Sequence, residues 1–145
     1  NLRVRTTLLG LPEERIDEVL AEVGLGNVGS KRAGRFSMGM KQRLGIALAL
    51  LAHPHLLILD EPTNGLDPIG IEELRDTIHG FAARGITVLV SSHILSEVQQ
   101  MADSVGIIHE GRLAYEDRLH KGQDLEQLFM DVCRHGGASQ QREVA

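Results

Sequence analysis

Apolar positions recur at helical spacing along several stretches of the chain. Between Pro12 and Leu25, the residues Ile16, Val19, Leu20 and Val23 fall at i, i+3, i+4 and i+7, a single stripe that predicts an amphipathic helix. Pro12 suits the first helical turn, Glu13, Glu14 and Asp17 favour its positive dipole end, and Gly24 and Gly26 act as stop signals. A glycine-rich, basic loop follows from Gly24 to Arg35. Ser37 has the chemistry of an N-cap for Met38 to Leu51, whose Leu, Ala, Met and Ile content predicts a mostly buried helix ended by His53-Pro54. Ile71 to Arg84 carries Ile71, Leu74, Ile78 and Phe81 on one side, and Gly85 closes it. Leu125, Leu128, Phe129 and Val132 predict a last helix over 123–132.

Between these helices lie short apolar runs without helical period. Leu56 to Leu59 reads as a strand covered on both faces, stopping at Asp60-Glu61-Pro62. Asn64 to Gly70 holds turn residues. Ile86 to Val90 is a second buried strand, followed by Ser91-Ser92-His93 and a short helix over 94–101. Ser104 to His109 is a third strand, Glu110-Gly111 a tight turn, and Leu113 to Tyr115 a returning strand. Strand, helix, strand, helix, strand is the pattern of a parallel α/β sheet. There is no internal repeat.

Composition narrows the function more than the fold. The 145 residues suit one domain, and 42% hydrophobic with 24% charged residues is a globular balance. Aromatics are 3% and Trp is absent, so the core must be aliphatic. A net charge of -5 argues against a general nucleic-acid binder. One cysteine, Cys133, excludes an intramolecular disulfide framework and a cysteine-rich zinc site, and fits a reducing compartment. The longest apolar run, Leu44 to Ala52, falls short of the roughly 20 residues a spanning helix needs. The chain starts at Asn1 without a secretory signal, and a fragment of a longer chain is expected. From Arg134 onward the polar tail, 134–145, is expected to be disordered.

The strongest chemical signal is Leu56-Leu57-Ile58-Leu59-Asp60-Glu61. An acidic pair just past the C-terminal end of a buried strand stands where open α/β sheets bind ligands. Asp60 suits a Mg²⁺ ion, and Glu61 suits a water attacking a γ-phosphate. An ordinary polar strand end has the same composition. Ser37 and Gly39 open a helix whose free N–H groups can bind an anion or simply be capped. Asn64-Gly65-Leu66-Asp67 is also plain turn chemistry. His93 follows a strand that can lie beside the Asp60 strand, and can equally be a capping histidine.

Taken in this order and spacing, the segments resemble the ATP-binding-cassette ATPases over nearly the whole chain, from about Asn1 to Val132. Phe36 to Gln42 is similar to the signature segment, Leu56 to Glu61 to the Walker B strand, Asn64 to Asp67 to the D-loop and His93 to the switch histidine. The runs Phe36 to Arg43 and Leu59 to Ile71 are especially similar to cassettes of bacitracin- and lantibiotic-resistance exporters. The resemblance implies two cassettes that sandwich ATP head to tail beneath a membrane permease, with Mg²⁺, in the cytoplasm. It implies that Ser37 and Gly39 touch the γ-phosphate held by the opposite subunit, that Asp60 serves the Mg²⁺ and Glu61 the water. His93 would hydrogen-bond the γ-phosphate, and Asp67 would reach across the dimer. Residues 1–53 would be helical subdomain and signature helix, and 54–133 the core from Walker B onward. Phe36, Met38 and Met40 depart from the usual Leu-Ser-Gly-Gly-Gln, so the fine contacts there differ.

No G-x-x-x-x-G-K-[ST] phosphate loop occurs in the 145 residues. Gly24 to Gly29 matches G-x-G-x-x-G, and Gly24 to Lys31 has phosphate-loop spacing with its last pair reversed. Both follow a helix rather than a strand, so the context each motif requires is missing. His53-Pro54-His55 lacks a third ligand for a metal. The expected fold is therefore a partial P-loop-type α/β core without its phosphate-loop half. The function that the resemblance implies is export of an antibiotic, peptide or similar compound driven by ATP hydrolysis. The alternatives are a non-transport cassette ATPase, or an inactive cassette serving only as a dimerisation partner.

Overall fold

A computed structural model describes residues 1–28, 31–120 and 122–135. The chain divides into two compact units, Asn1–Ser91 and Ser92–Ala145.

The first unit opens with α1 (Leu2–Leu9), which periodicity does not reveal. Its inward positions are Leu2 and Thr6, whereas Val4 and Leu8 face solvent, so apolar residues stand on the wrong side for a pattern argument. Thr6 is tolerated inside because its hydroxyl donates to the Leu2 carbonyl at 3.1 Å. The next helix, α2 (Glu14–Glu22), is shorter than the predicted 12–25. Pro12 and Glu13 form a preceding turn in which Arg15 N–H and Ile16 N–H donate to their carbonyls. Val19 and Val23 are buried as expected, but the inward face is completed by Arg15, not Ile16.

After a single 3-10 turn at Ala33–Arg35, α3 (Met38–Leu50) starts where the sequence places it. It is less enclosed than its composition suggests: Ile46, Ala47 and Leu50 are buried, while Lys41 and Gly45 are exposed. One side-chain bond fixes its far end to α2, and two more within α2 hold the donor in place. The Arg15 guanidinium donates to the Leu50 carbonyl at 2.9 Å, to Glu18 at 2.9 Å and to Glu22 at 3.1 Å. Glu22 also pairs with Arg84 at 3.1 Å.

Strands β1 (Leu56–Asp60) and β2 (Thr87–Ser91) run parallel, and the register sets Asp60 opposite Ser91. The connection between them is α4 (Pro68–Ala83), which packs on β2 and buries Leu74, Ile78 and Phe81. This helix begins three residues before the predicted start because Asp67, not a residue near 70, is its N-cap. Its end is a left-handed glycine motif: Gly85 has φ +81°, Gly85 N–H donates to Ala82 O, and Ile86 N–H donates to Phe81 O.

One expectation fails here. Leu57 and Leu59 are buried, but Leu56 and Ile58 are 52% and 65% exposed, so β1 is covered on one face rather than two. Leu89, beside Ile58 in the register, is exposed on the same face.

The second unit holds α5 (Leu95–Met101), β3 (Ser104–His109), β4 (Arg112–Arg118) and α6 (Leu125–His135). The third strand does not extend a parallel sheet among the described residues. It pairs antiparallel with β4 through a turn in which Glu110 and Gly111 both have positive φ, the primed geometry that suits strand twist. The return strand is longer than the predicted Leu113 to Tyr115. Helix α6 packs on α5 and β3, with Leu125 and Ile107 buried. It continues through Arg134 and His135, which corrects the tail boundary placed at 134; residues 136–145 lie outside the described residues.

Candidate functional site

The first unit brings two loops and a strand end into one region of chemistry. Ser37 is extended (φ −61°, ψ 167°) and its Oγ accepts the Met40 N–H at 3.3 Å, so it is the N-cap the sequence predicts. The hydroxyl is exposed, and its own proton is directed to no partner by that bond. The first turn of α3 therefore presents backbone N–H groups and a hydroxyl to solvent, the donor set that suits a phosphate.

Asp67 plays the same part for α4. Its Oδ1 accepts the Gly70 N–H at 3.0 Å, and Pro68 opens the helix. The sequence reading gives Asp67 a role across a dimer and passes over this cap, although Asp directly before Pro is a helix-start signal. The two turns touch. A Cβ built on Gly39 would lie 3.5 Å from Leu66 Cδ2, and one built on Gly65 would lie 3.5 Å from Met38 Cγ. Met38 thus lies alongside Gly65 of the same chain. Further along, Arg43 of α3 pairs with Glu73 of α4.

Asp60 ends β1 with its side chain exposed, and Glu61 follows at φ +46°. That region is uncommon for a residue with a side chain and costs on the order of 1–3 kcal/mol. The neighbouring strand holds it: Glu61 N–H donates to Ser91 O at 3.2 Å and to Ser91 Oγ at 3.0 Å, while Ser91 Oγ donates to Asp60 Oδ1 at 2.5 Å. Sequence reading passes over Ser91. The signal is the polar end of the second strand, which parallel pairing sets beside the first acidic residue; that strand is not buried as expected, with Val88 and Val90 half-buried and Leu89 exposed. It also passes over Thr63, buried between Glu61 and Asp67.

His93 lies in the second unit, exposed, between Ser92 and α5. Ser92 Oγ accepts the Ile94 N–H at 3.1 Å next to it. The strand preceding His93 does pair with the Asp60 strand, as the sequence argument requires.

Gly24 to Val28 is a turn after α2, and Gly29 and Ser30 lie outside the described residues. No group of three or more His, Cys, Asp or Glu among the described residues is arranged to hold a metal, including at His53 and His55. A Mg²⁺ ion needs no such cage, because it is held by one or two carboxylates together with substrate phosphates. The exposed Asp60 carboxylate at a strand end is a donor set of that kind. An open cleft of about 660 Å³ lies elsewhere in the first unit, lined by Leu2, Ile16, Leu20, Phe36 and Leu44 among others. No helix among the described residues is long and apolar enough to cross a membrane.

A parallel strand pair thus ends in Asp-Glu, with a capped helix before it in the chain and another after it. The sequence model of the ABC transporter family matches residues 1–64. The lantibiotic transport ATP-binding protein SrtF of Streptococcus pyogenes is 54% identical over 129 residues, 89% of this chain and 56% of that protein. The bacitracin transport ATP-binding protein BcrA of Bacillus licheniformis is 59% identical over 118 residues, 80% of this chain and 39% of that protein. A solved ATP-binding subunit of an ABC transporter superposes with a TM-score of 0.74 at 33% identity, covering 90% of this chain and 60% of that one. The chain belongs to the ABC transporter family, and it is similar to the ATP-binding proteins of lantibiotic and bacitracin transport. It spans about half the length of the curated relatives it matches.

Proposed function

We propose that these residues are the signature-to-switch portion of the ATP-binding subunit of an exporter, coupling ATP hydrolysis to movement of an antibiotic, a peptide or a similar compound. What supports the reading is one arrangement: the Ser37 cap, resting on the Asn64–Asp67 turn, with the Asp60–Glu61 strand end in the same unit. The identity to the lantibiotic and bacitracin transport proteins supports the cargo class. Residues 1–53 are read as helical subdomain and signature helix, and 54–133 as the core from Walker B onward.

In this reading Ser37 and Gly39 bind the γ-phosphate of a nucleotide carried by a second cassette. Asp60 holds Mg²⁺ and Glu61 takes the proton of the attacking water. His93 orients the γ-phosphate, and Asp67 meets the second cassette. Mg²⁺, when bound, neutralises charge on the phosphoryl oxygens. The partners are that cassette, identical or not, and a membrane permease; the subunit lies at the cytoplasmic face of the membrane, and no nucleic acid is involved. The 145 residues by themselves are not expected to turn over ATP, because they include no phosphate-loop lysine or backbone cradle. The test is phosphate release and nucleotide-dependent dimerisation of the full-length protein, reconstituted with its permease. No release under any condition that binds Mg-ATP would overturn the catalytic reading.

A further inference from the structure

The acidic pair has a third member. The Ser91 hydroxyl has one proton and two lone pairs. It donates to Asp60 Oδ1 at 2.5 Å and accepts from Glu61 N–H at 3.0 Å, so one oxygen atom bridges two successive residues of the neighbouring strand. The Ser91 carbonyl takes the same Glu61 N–H at 3.2 Å. The register makes the arrangement possible, because Ser91 stands directly opposite Asp60 and the chain turns left-handed one residue later, at Glu61.

Two consequences follow from the geometry. The bond to Oδ1 fixes the rotation of the Asp60 carboxylate and leaves Oδ2 outside that bond. The bond from Glu61 N–H holds the backbone at φ +46°, the turn that sets where the Glu61 side chain leaves the strand. We propose that Ser91 is a positioning residue that orients the Asp60 carboxylate toward a divalent cation and fixes the backbone from which Glu61 acts. This rests on the nucleotide-hydrolysing reading above.

The test uses the full-length protein and the probe Mn²⁺-ATP, followed by the electron paramagnetic resonance of the metal, with steady-state ATPase as a second readout. Ser91→Val and Ser91→Thr have the same shape and differ in the hydroxyl, and both suit a strand. Ser91→Val is expected to weaken Mn²⁺-ATP binding and lower turnover by about 10-fold or more, the scale of lost bonds to metal ligands. Metal-free ATP binding and the melting temperature should stay at wild-type values. Ser91→Thr is expected to restore both. Equal Mn²⁺-ATP affinity and turnover in Ser91→Val and wild type would overturn the proposal while leaving the hydrolytic reading intact. Loss of metal-free ATP binding or of folding to the same degree in Val and Thr would also overturn it, as a packing effect. Failure of the wild-type protein to bind Mn²⁺-ATP would overturn the hydrolytic reading, and this proposal with it.

Discussion

The backbone turns between Asp60 and Glu61, which suits the two neighbours to the different roles proposed for them. In an unbroken strand they would project to opposite faces. The left-handed Glu61 redirects the second side chain, and the cross-strand serine holds that turn. The roles separate by substitution in the full-length protein. Glu61→Gln should lower phosphate release by roughly 100-fold or more while Mg-ATP still binds and holds the dimer, because an amide cannot take the water's proton. Asp60→Asn should weaken Mg²⁺-dependent binding itself, since a charged ligand is lost. His93→Ala should lower turnover with a smaller change in affinity. Nucleotide affinity, dimer fraction by light scattering and phosphate release distinguish the three, and near wild-type hydrolysis by Glu61→Gln would remove it from the mechanism. At this scale the sequence shows what is local. Ser37 announces its cap because an N-cap is set by the next three residues, and Asp60 announces itself by ending an apolar run. Ser91 does not, because its meaning comes from a register between strands 31 positions apart.

Among the elements, α3 and α4 are joined at both ends. The first turn of α3 meets the loop leading into α4 at Met38, Gly65 and Leu66, and the ends of the two helices are gathered by Arg15, Glu22 and Arg84. Arg15 has a side chain only 10% exposed and accounts for the Leu50 carbonyl and two carboxylates. Arg15→Ala leaves that carbonyl and Glu22 short of a donor and should destabilise the first unit by about 2–3 kcal/mol. The measurement is the shift of the urea midpoint, and a change within error would show the cluster to be solvated. Arg15→Lys should recover little, because one ammonium cannot serve three acceptors in the guanidinium's fork. Gly85→Ala should cost about 1–2 kcal/mol by the same measurement, since a side chain at φ +81° is strained. The sequence gives the apolar stripe of α2 but not its rotation. A charged residue beside such a stripe usually faces water, and its burial depends on a carbonyl from another helix. Helix α1 is hidden for the opposite reason: apolar Val4 and Leu8 face out and Thr6 faces in.

For the whole chain, one sheet face dominates the physical behaviour. Leu56, Ile58 and Leu89 are each more than half exposed on the face of β1 and β2 away from Leu57 and Leu59. An apolar face of this kind next to open strand edges favours association. The 145-residue chain studied alone should self-associate, seen as a concentration-dependent mass in sedimentation equilibrium, and Ile58→Lys with Leu89→Lys should reduce it. A monomer at every concentration, unfolding in two states at an ordinary ~5–15 kcal/mol, would contradict this. The continuous apolar run Leu56 to Leu59 foretold two covered faces, and the chain supplies a cover for one. Periodicity reports what a strand is suited to meet, not whether the partner surface lies within the same residues.

The cap on α4 has a consequence for how two such subunits would sense each other. Asp67 Oδ1 is already engaged by Gly70 N–H, in a space so tight that a Cβ on Gly70 would stand 2.8 Å from that oxygen. A second cassette that draws this oxygen out of the cap loosens the opening turn of α4, at about 1 kcal/mol for a lost cap, whereas one that uses Oδ2 or the second lone pair of Oδ1 leaves the cap in place. In the first case linkage is reciprocal, so whatever steadies that turn resists docking and whatever frays it invites docking. Amide hydrogen exchange at Ile69–Glu72 distinguishes the two, rising as the pair closes if the cap is released and staying level if it is kept.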